Sequence, residues 1–198
     1  MGCITTISGG FGVSCKAPSG KIKDKLILIN VDDIDMSGVT YKTTLNGESV
    51  SIDIITALPL KSGKQGYLVE GLNGSIIARE NISRGTYRAN LSHEIEFVAW
   101  EIDAKALSNI KKLLTAKVVG VFESNGQFRV AGWSTGLQIR EGSADTSDTD
   151  KGGLFTLILD MEQAPNLMPV FGVYTGTSPS EVYDYAASKT AFEALLIA

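Results

Sequence analysis

Tyr87 to Trp100 reads YRANLSHEIEFVAW, an alternation of apolar and polar side chains that runs without a break. Tyr87, Ala89, Leu91, His93, Ile95, Phe97 and Ala99 share one parity, and Arg88, Asn90, Ser92, Glu94 and Glu96 share the other. A period of two is that of a β-strand, whose successive side chains point to opposite faces of a sheet. Strands average about five or six residues, so one twice that length spans a large sheet with a dry side and a wet side.

The whole chain has 198 residues, enough for one domain with a sizeable core and short for two. Its 43% hydrophobic and 20% charged content is that of an ordinary globular protein. The net charge of −4 argues against non-specific capture of nucleic acid, which basic patches drive. It does not argue against a surface past which nucleic acid slides. No apolar run approaches the roughly 20 residues of a membrane-crossing helix, so no membrane insertion is expected. The opening MGCITTISGG lacks the basic flank and apolar centre of a secretory signal. Gly2 and Thr6 satisfy the short myristoylation pattern, which chance also produces often. Cys3 and Cys15 are the only cysteines, and a reduced pair is expected rather than a bridge. Two cysteines and a single histidine cannot assemble a standard four-ligand zinc site.

Along the chain, residues 1–24 read as a Gly-, Ser- and Lys-rich arm. Lys25–Val31 (KLILINV) is a short apolar run of the kind buried on both faces of a sheet. Asn46-Gly47, Asn73-Gly74 and Asn125-Gly126 each stand between strand-like segments, and Asn-Gly supplies the two positive φ angles of a type I′ hairpin turn. The hairpins expected are Thr40–Leu45 with Glu48–Ile55, Tyr67–Leu72 with Ser75–Asn81, and Lys117–Ser124 with Gln127–Trp133. A helix capped by Asp103 carries the apolar stripe Ala106, Ile110, Leu113 and Leu114, with Lys111 and Lys112 on its wet face near the C-terminal end. Ser178-Pro179-Ser180-Glu181 reads as a capping box opening a C-terminal helix over 178–198, with Val182, Tyr185, Ala186, Phe192, Leu195 and Leu196 on its apolar face. Arg140–Gly153 reads as a flexible acidic loop, followed by the strands LFTLIL and VFGVYT. The sum is a mainly β (α+β) chain, an antiparallel sandwich or barrel with flanking helices.

Candidate chemistry is thin. His93 lies on the apolar parity of the long strand, where a histidine is more often a packing residue than a catalyst. Glu94 and Glu96 lie two residues apart on the other parity, roughly 7 Å, which matches a retaining glycosidase pair only loosely. Asp145, Asp148 and Asp150 do not follow the spacing of a calcium loop. Gly9-Gly10-Phe11-Gly12 and Gly152-Gly153 do not open helices after strands, so neither reads as a phosphate cradle. No catalytic, cofactor-binding or metal-ligating residue is assigned, no cofactor is expected, and the chain reads as a structural or interaction protein rather than an enzyme.

From Val130 the sequence runs VAGWSTGLQI, then the Ser/Thr/Asp loop, then GGLFTLILDMEQAP. This Gly-x-x-x-Gly-Leu strand, polar loop and Leu-x-Thr-Leu-x-Leu strand followed by Glu and Pro resembles the C-terminal half of phage major tail tube proteins. Cys15-Lys16 and then SGKIKDKLILINVDDID is similar to the start of some of them, with Ser19-Gly20 where Gly-Gly stands there. The resemblance covers a minority of the chain, and its motifs are of low specificity.

It implies a single tail-tube-like domain over 1–198, an antiparallel β-sandwich or half-barrel with one flanking helix and a C-terminal helix, closing into a hexameric ring barrel. Stacked rings would form a tube in the virion tail, made and assembled in the host cytoplasm. The partners implied are copies of the chain itself, other tail proteins at the tube ends, and DNA in transit without specific binding. Arg88, Asn90, Ser92, Glu94 and Glu96 would line the lumen, where a weakly acidic, hydrated wall repels phosphates. Val50–Ile55, with Ser51 and Asp53 alternating, is a rival lining. Lys42–Gly47, Leu58–Gln65 and Arg140–Gly153 are the loops expected to reach the next ring, with Leu58, Leu60, Lys61 and Lys64 as contacts. Two alternatives stand beside this. One is another ring component of a tail or injection machine, such as a baseplate hub, a terminator or a secretion needle. The other is a small carbohydrate-binding or hydrolase β-sandwich using Trp100, Trp133 and the Glu94/Glu96 pair.

Overall fold

The apolar run Leu26–Ile29 forms the centre of the first strand and is buried on both faces, all four side chains being 5% exposed or less. Alternate residues of one strand thereby serve two different cores. The computed structural model describes residues 22–50, 53–71, 74–84, 89–99, 104–144 and 154–197. In chain order the strands are β1 (Ile22–Asn30), β2 (Thr40–Tyr41), β3 (Thr44–Leu45), β4 (Glu48–Ser49), β5 (Ile54–Ala57), β6 (Tyr67–Glu70), β7 (Ile77–Arg84) and β8 (Ala89–Ala99). Helix α1 (Ala104–Leu113) follows, then β9 (Val118–Ser124), β10 (Gln127–Ala131), β11 (Gln138–Ala144) and β12 (Phe155–Ala164). The chain closes with β13 (Val170–Phe171), β14 (Val173–Thr175), β15 (Val182–Asp184) and helix α2 (Tyr185–Ala194).

Two sheets dominate. The larger has the order β2-β5-β13-β10-β9-β1-β6, and the smaller β11-β12-β8-β7. All their pairings are antiparallel except β13 with β5. Leu26 and Leu28 of β1 and Val118 and Phe122 of β9 meet Ile95, Phe97, Leu157 and Leu159 of the smaller sheet. Ile27, Ile29, Val119 and Val121, on the reverse face of the same strands, pack with Phe128, Phe171, Phe192 and Leu195 beneath α2. The molecule is mainly β, a sandwich with a helix on its outer layer, as the alternation and the apolar run predict.

Two of the three Asn-Gly hairpins form. Asn46 and Gly47 have φ of 52° and 88° and join β3 to β4, while Asn125 and Gly126, at 53° and 74°, join β9 to β10. The hairpin of Tyr67–Leu72 with Ser75–Asn81 does not form. β6 pairs with β1 in the large sheet, and β7 pairs along its whole length with β8 in the small one, from Ile77↔Glu96 to Arg84↔Ala89. The ladder on β8 is twice as long as any that β6 could offer, so the 71–76 link carries the chain from one sheet to the other. Ile76, 3% exposed, anchors that crossing in the core.

Three boundaries also shift. Arg140–Ala144 is strand β11 rather than loop, held by β12. β1 begins at Ile22, within the 1–24 stretch expected to be an arm, and residues 1–21 lie outside the described residues. The C-terminal helix begins at Tyr185, not at Pro179: Thr177–Ser180 is a turn closed by a 2.8 Å bond from Ser180 N–H to Thr177 O, and Val182–Asp184 pairs with β14. Asp184 is the true cap, its carboxylate accepting from Ala187 N–H at 3.0 Å. Phe192 and Leu195 are buried as expected, whereas Val182 and Ala186 face outward. On α1, Ala106, Ile110 and Leu113 face a recess of about 600 Å³ beside β6, but Leu114 is 61% exposed. Its cap, Asp103, lies outside the described residues.

After β10 the chain turns at Gly132, whose φ is 74°. A Cβ there would sit 2.6 Å from Leu137 Cγ and 2.9 Å from Leu137 N. Left-handed backbone costs a residue with a side chain about 1–2 kcal/mol by itself, and the backbone neighbour cannot step aside. Gly132→Ala is therefore expected to lose about 2 kcal/mol or more, read from urea unfolding midpoints. An unchanged midpoint would mean that the turn adopts another geometry.

Candidate functional site

The wet side of the long strand is the outer face of the small sheet. The register puts Arg79 opposite Glu94 and Asn81 opposite Ser92 on one flank, and Asp160 opposite Glu94 on the other. β11 adds Arg140 at the bulge between the Ile139↔Leu159 and Glu141↔Ile158 pairs. Asn90 is exposed, Ser92 and Glu96 are half-buried, and Glu94 is buried. Arg88, Tyr87 and Trp100 lie outside the described residues, as do Ser51 of the rival lining, Asp145, Asp148 and Asp150, both cysteines and Gly2.

Glu94 is the hub of an ion-pair ladder across four strands. One carboxylate oxygen takes Arg79, and the other takes Arg140 Nη1 at 2.6 Å. Arg79 also reaches Glu96 at 2.9 Å, and Arg140 reaches Asp160 at 3.4 Å. Burial pushes the Glu94 carboxyl up, but the two guanidiniums outweigh it and hold it below the usual carboxylate range. Asp160 goes the other way, because its burial outweighs the more distant Arg140. Among the described residues this face carries Glu94, Glu96, Glu141 and Asp160, with Glu162 beside Asp160, against the guanidiniums of Arg79 and Arg140, a surplus of negative charge.

A glycosidase acid needs a carboxyl raised toward neutrality and free to give its proton. Glu94 is held below its ordinary value and clamped by two guanidiniums, which does not suit it to that step. Trp133 offers no sugar platform, being 4% exposed and packed edge-on against Tyr41. Among the described residues no group of three or more His, Cys, Asp and Glu side chains could hold a metal ion. No helix among them is long and apolar enough to cross a membrane.

Two of the three loops expected to project carry contacts within the chain, and residues 145–153 of the third lie outside the described residues. Leu58 is 5% exposed and belongs to the core under α2. Leu60 bridges to Ile34. Lys61 donates from N–H to Asp33 O at 2.9 Å and from Nζ to Asp32 O at 2.6 Å. Lys64 pairs with Asp33 at 3.0 Å. In the 42–47 loop, Lys42 meets Glu181 at 2.6 Å, and Asn46 exchanges hydrogen bonds with the backbone and side chain of Glu181. These loops are stapled at their bases, which leaves only their outer surfaces for a neighbour.

Arg79, Arg140 and Asp160 are site residues that sequence reasoning missed. Their parity within their own strands was readable, but which strand lies beside which was not. Comparison with known protein families, curated proteins and solved structures returns no match.

Proposed function

We propose that the chain is a tail tube subunit, a structural protein that assembles into hexameric rings whose joined small sheets line a conduit for DNA. The observation that carries this is a charged sheet face, net-negative among the described residues, bounded by sheet edges that lack a partner among them. β7 closes the small sheet on one side and β6 the large one, and the two strands follow one another in the chain. Both carry exposed apolar side chains: Tyr67 and Leu68 at 53% and 39%, Ile77 and Ile82 at 38% and 66%. Ile82 is the most telling of these. By register with Leu91 it stands on the face that packs into the core further along, yet nothing in the described chain covers it. Open edges with apolar side chains invite pairing with another chain, and a ring removes them by pairing each with a neighbour.

The same geometry supports the lining. DNA is held by cations that displace its counterions. Here Arg79 and Arg140 are committed to carboxylates, and the surplus charge among the described residues is negative, which disfavours phosphate binding. Asn90, Ser92, Glu94 and Glu96 lie on that wall.

Negative-stain microscopy of the purified protein tests the assembly. Hexameric rings or tubes are expected, and Ile82→Lys together with Leu68→Lys should abolish them while leaving the circular dichroism unchanged. A wild-type particle that stays monomeric at high concentration overturns the proposal.

A further inference from the structure

His93 is the only histidine in the chain and is 1% exposed. It stands on β8 in the small sheet, and its ring reaches the large one. Nδ1 accepts a hydrogen bond from Gly132 N–H at 3.2 Å, so the proton of the neutral ring sits on Nε2. Nε2 itself is buried and faces the Asn166 backbone without a hydrogen bond of normal geometry, and the nearest carboxylate, Glu80 of β7, is 3.8 Å away. Glu80 is already in use. It accepts from Met168 N–H and pairs with Arg129 of β10 at 3.3 Å. Arg129 also donates to Met168 O at 2.8 Å, and its Nε is a second buried atom without a partner.

Among the described residues, the charged groups that face the ring are Glu80 from β7 and Arg129 from β10. Met161, across from His93 on β12, is uncharged, and the 165–169 segment presents backbone. A second proton has one place to go, Nδ1, where Gly132 N–H already points. Two donors would then face each other, and the bond between the sheets would become a repulsion. The cationic ring would at the same time be drawn toward Glu80, in competition with Arg129 and Met168.

We propose that His93 is a proton-operated latch between the two sheets: neutral, it holds the Gly132–Gly136 turn against β8, and protonated, it releases that turn and swings toward Glu80. Burial pushes the ring's pKa below its ordinary value, against the pull of Glu80 and of the Asn166 backbone. An unfolded histidine takes its proton near pH 6.5, while the folded one resists. The latch therefore contributes fully above about pH 6.5, and its contribution is lost as pH falls from there toward the lower folded value. Inside that window the folding equilibrium constant drops by up to about tenfold per pH unit. The inference does not depend on the tube assignment.

The test follows the one imidazole resonance of the intact protein together with the exchange rate of the Gly132 amide, from about pH 8 to about pH 5, above the ordinary carboxylate range. The expected result is a midpoint below that of a free histidine, with Gly132 exchange rising in step. His93→Gln, whose amide oxygen can accept from Gly132 without titrating, should lack this component of the pH dependence in urea unfolding. A ring that titrates at the ordinary value, Gly132 exchange that ignores it, or equal pH slopes for wild type and His93→Gln would each overturn the latch. If His93→Gln does not fold, the wild-type titration and the Gly132 exchange decide.

Discussion

Glu94→Lys is expected to cost about 3 kcal/mol of folding stability, and Glu96→Lys well under half of that. Both carboxylates share one face of one strand, and the alternation alone treats them as equals. In the sheet they are not. Glu94 accepts from two guanidiniums and its side chain is 12% exposed, whereas Glu96 has one such partner and is 19% exposed. A lysine at 94 would place a cation between Arg79 and Arg140 with no carboxylate left between them. Removing one partner of a fully buried pair costs roughly 3–5 kcal/mol. The lower end applies because both arginines are more than two-fifths exposed, and water screens part of the repulsion. Urea unfolding of the two single variants measures the difference. Equal, small losses would mean that the ladder is not formed in solution.

Phe128→Ala is the other large effect, at about 4 kcal/mol, or a fall of roughly 10 °C in Tm for a chain of this size. Phe128 is 1% exposed and is the platform on which α2 lands. Its ring stacks on Phe192 at 4.5 Å and on Tyr185 at 6.0 Å between centroids. The same residue's N–H donates to Tyr183 Oη at 3.1 Å, and that hydroxyl donates to Phe171 O at 3.0 Å. Truncation removes the stacking surface and leaves a cavity between sheet and helix. Hydrogen exchange should show α2 amides opening before the sandwich does. A loss below about 1.5 kcal/mol, under even the usual cost of a large-to-alanine change in a core, would mean that α2 is held mainly by Leu195 and the strand before it.

Much of the fold was legible along the chain because it rests on local rules. The two-residue period announced β8, and continuous apolar character announced a strand buried on both faces. Two Asn-Gly pairs closed the hairpins they promised, because only a positive-φ pair turns the chain so tightly. The third pair shows where such rules stop. Asn73-Gly74 bears the same signal, but the long ladder between β7 and β8 outweighed a short one between β6 and β7. The capping box at Ser178 failed in a similar way. Its spacing suited a helix, but Val182–Asp184 found a partner in β14, and the helix waited for Asp184.

The candidate site divides along the same line. Parity within one strand is a property of the backbone, so the wet face with Asn90, Ser92, Glu94 and Glu96 was written in the sequence itself, as was the burial of His93 opposite. What those residues touch depends on strand order, register and a bulge in β11, which are set by long-range packing and leave no local trace. Only the tertiary structure decided that Glu94 is clamped by Arg79 and Arg140, that Lys61 and Lys64 are engaged by Asp32 and Asp33, and that His93 reaches Gly132 in the turn after β10. A side chain's direction is fixed by its own backbone, but its partner is chosen by the packing of the whole chain.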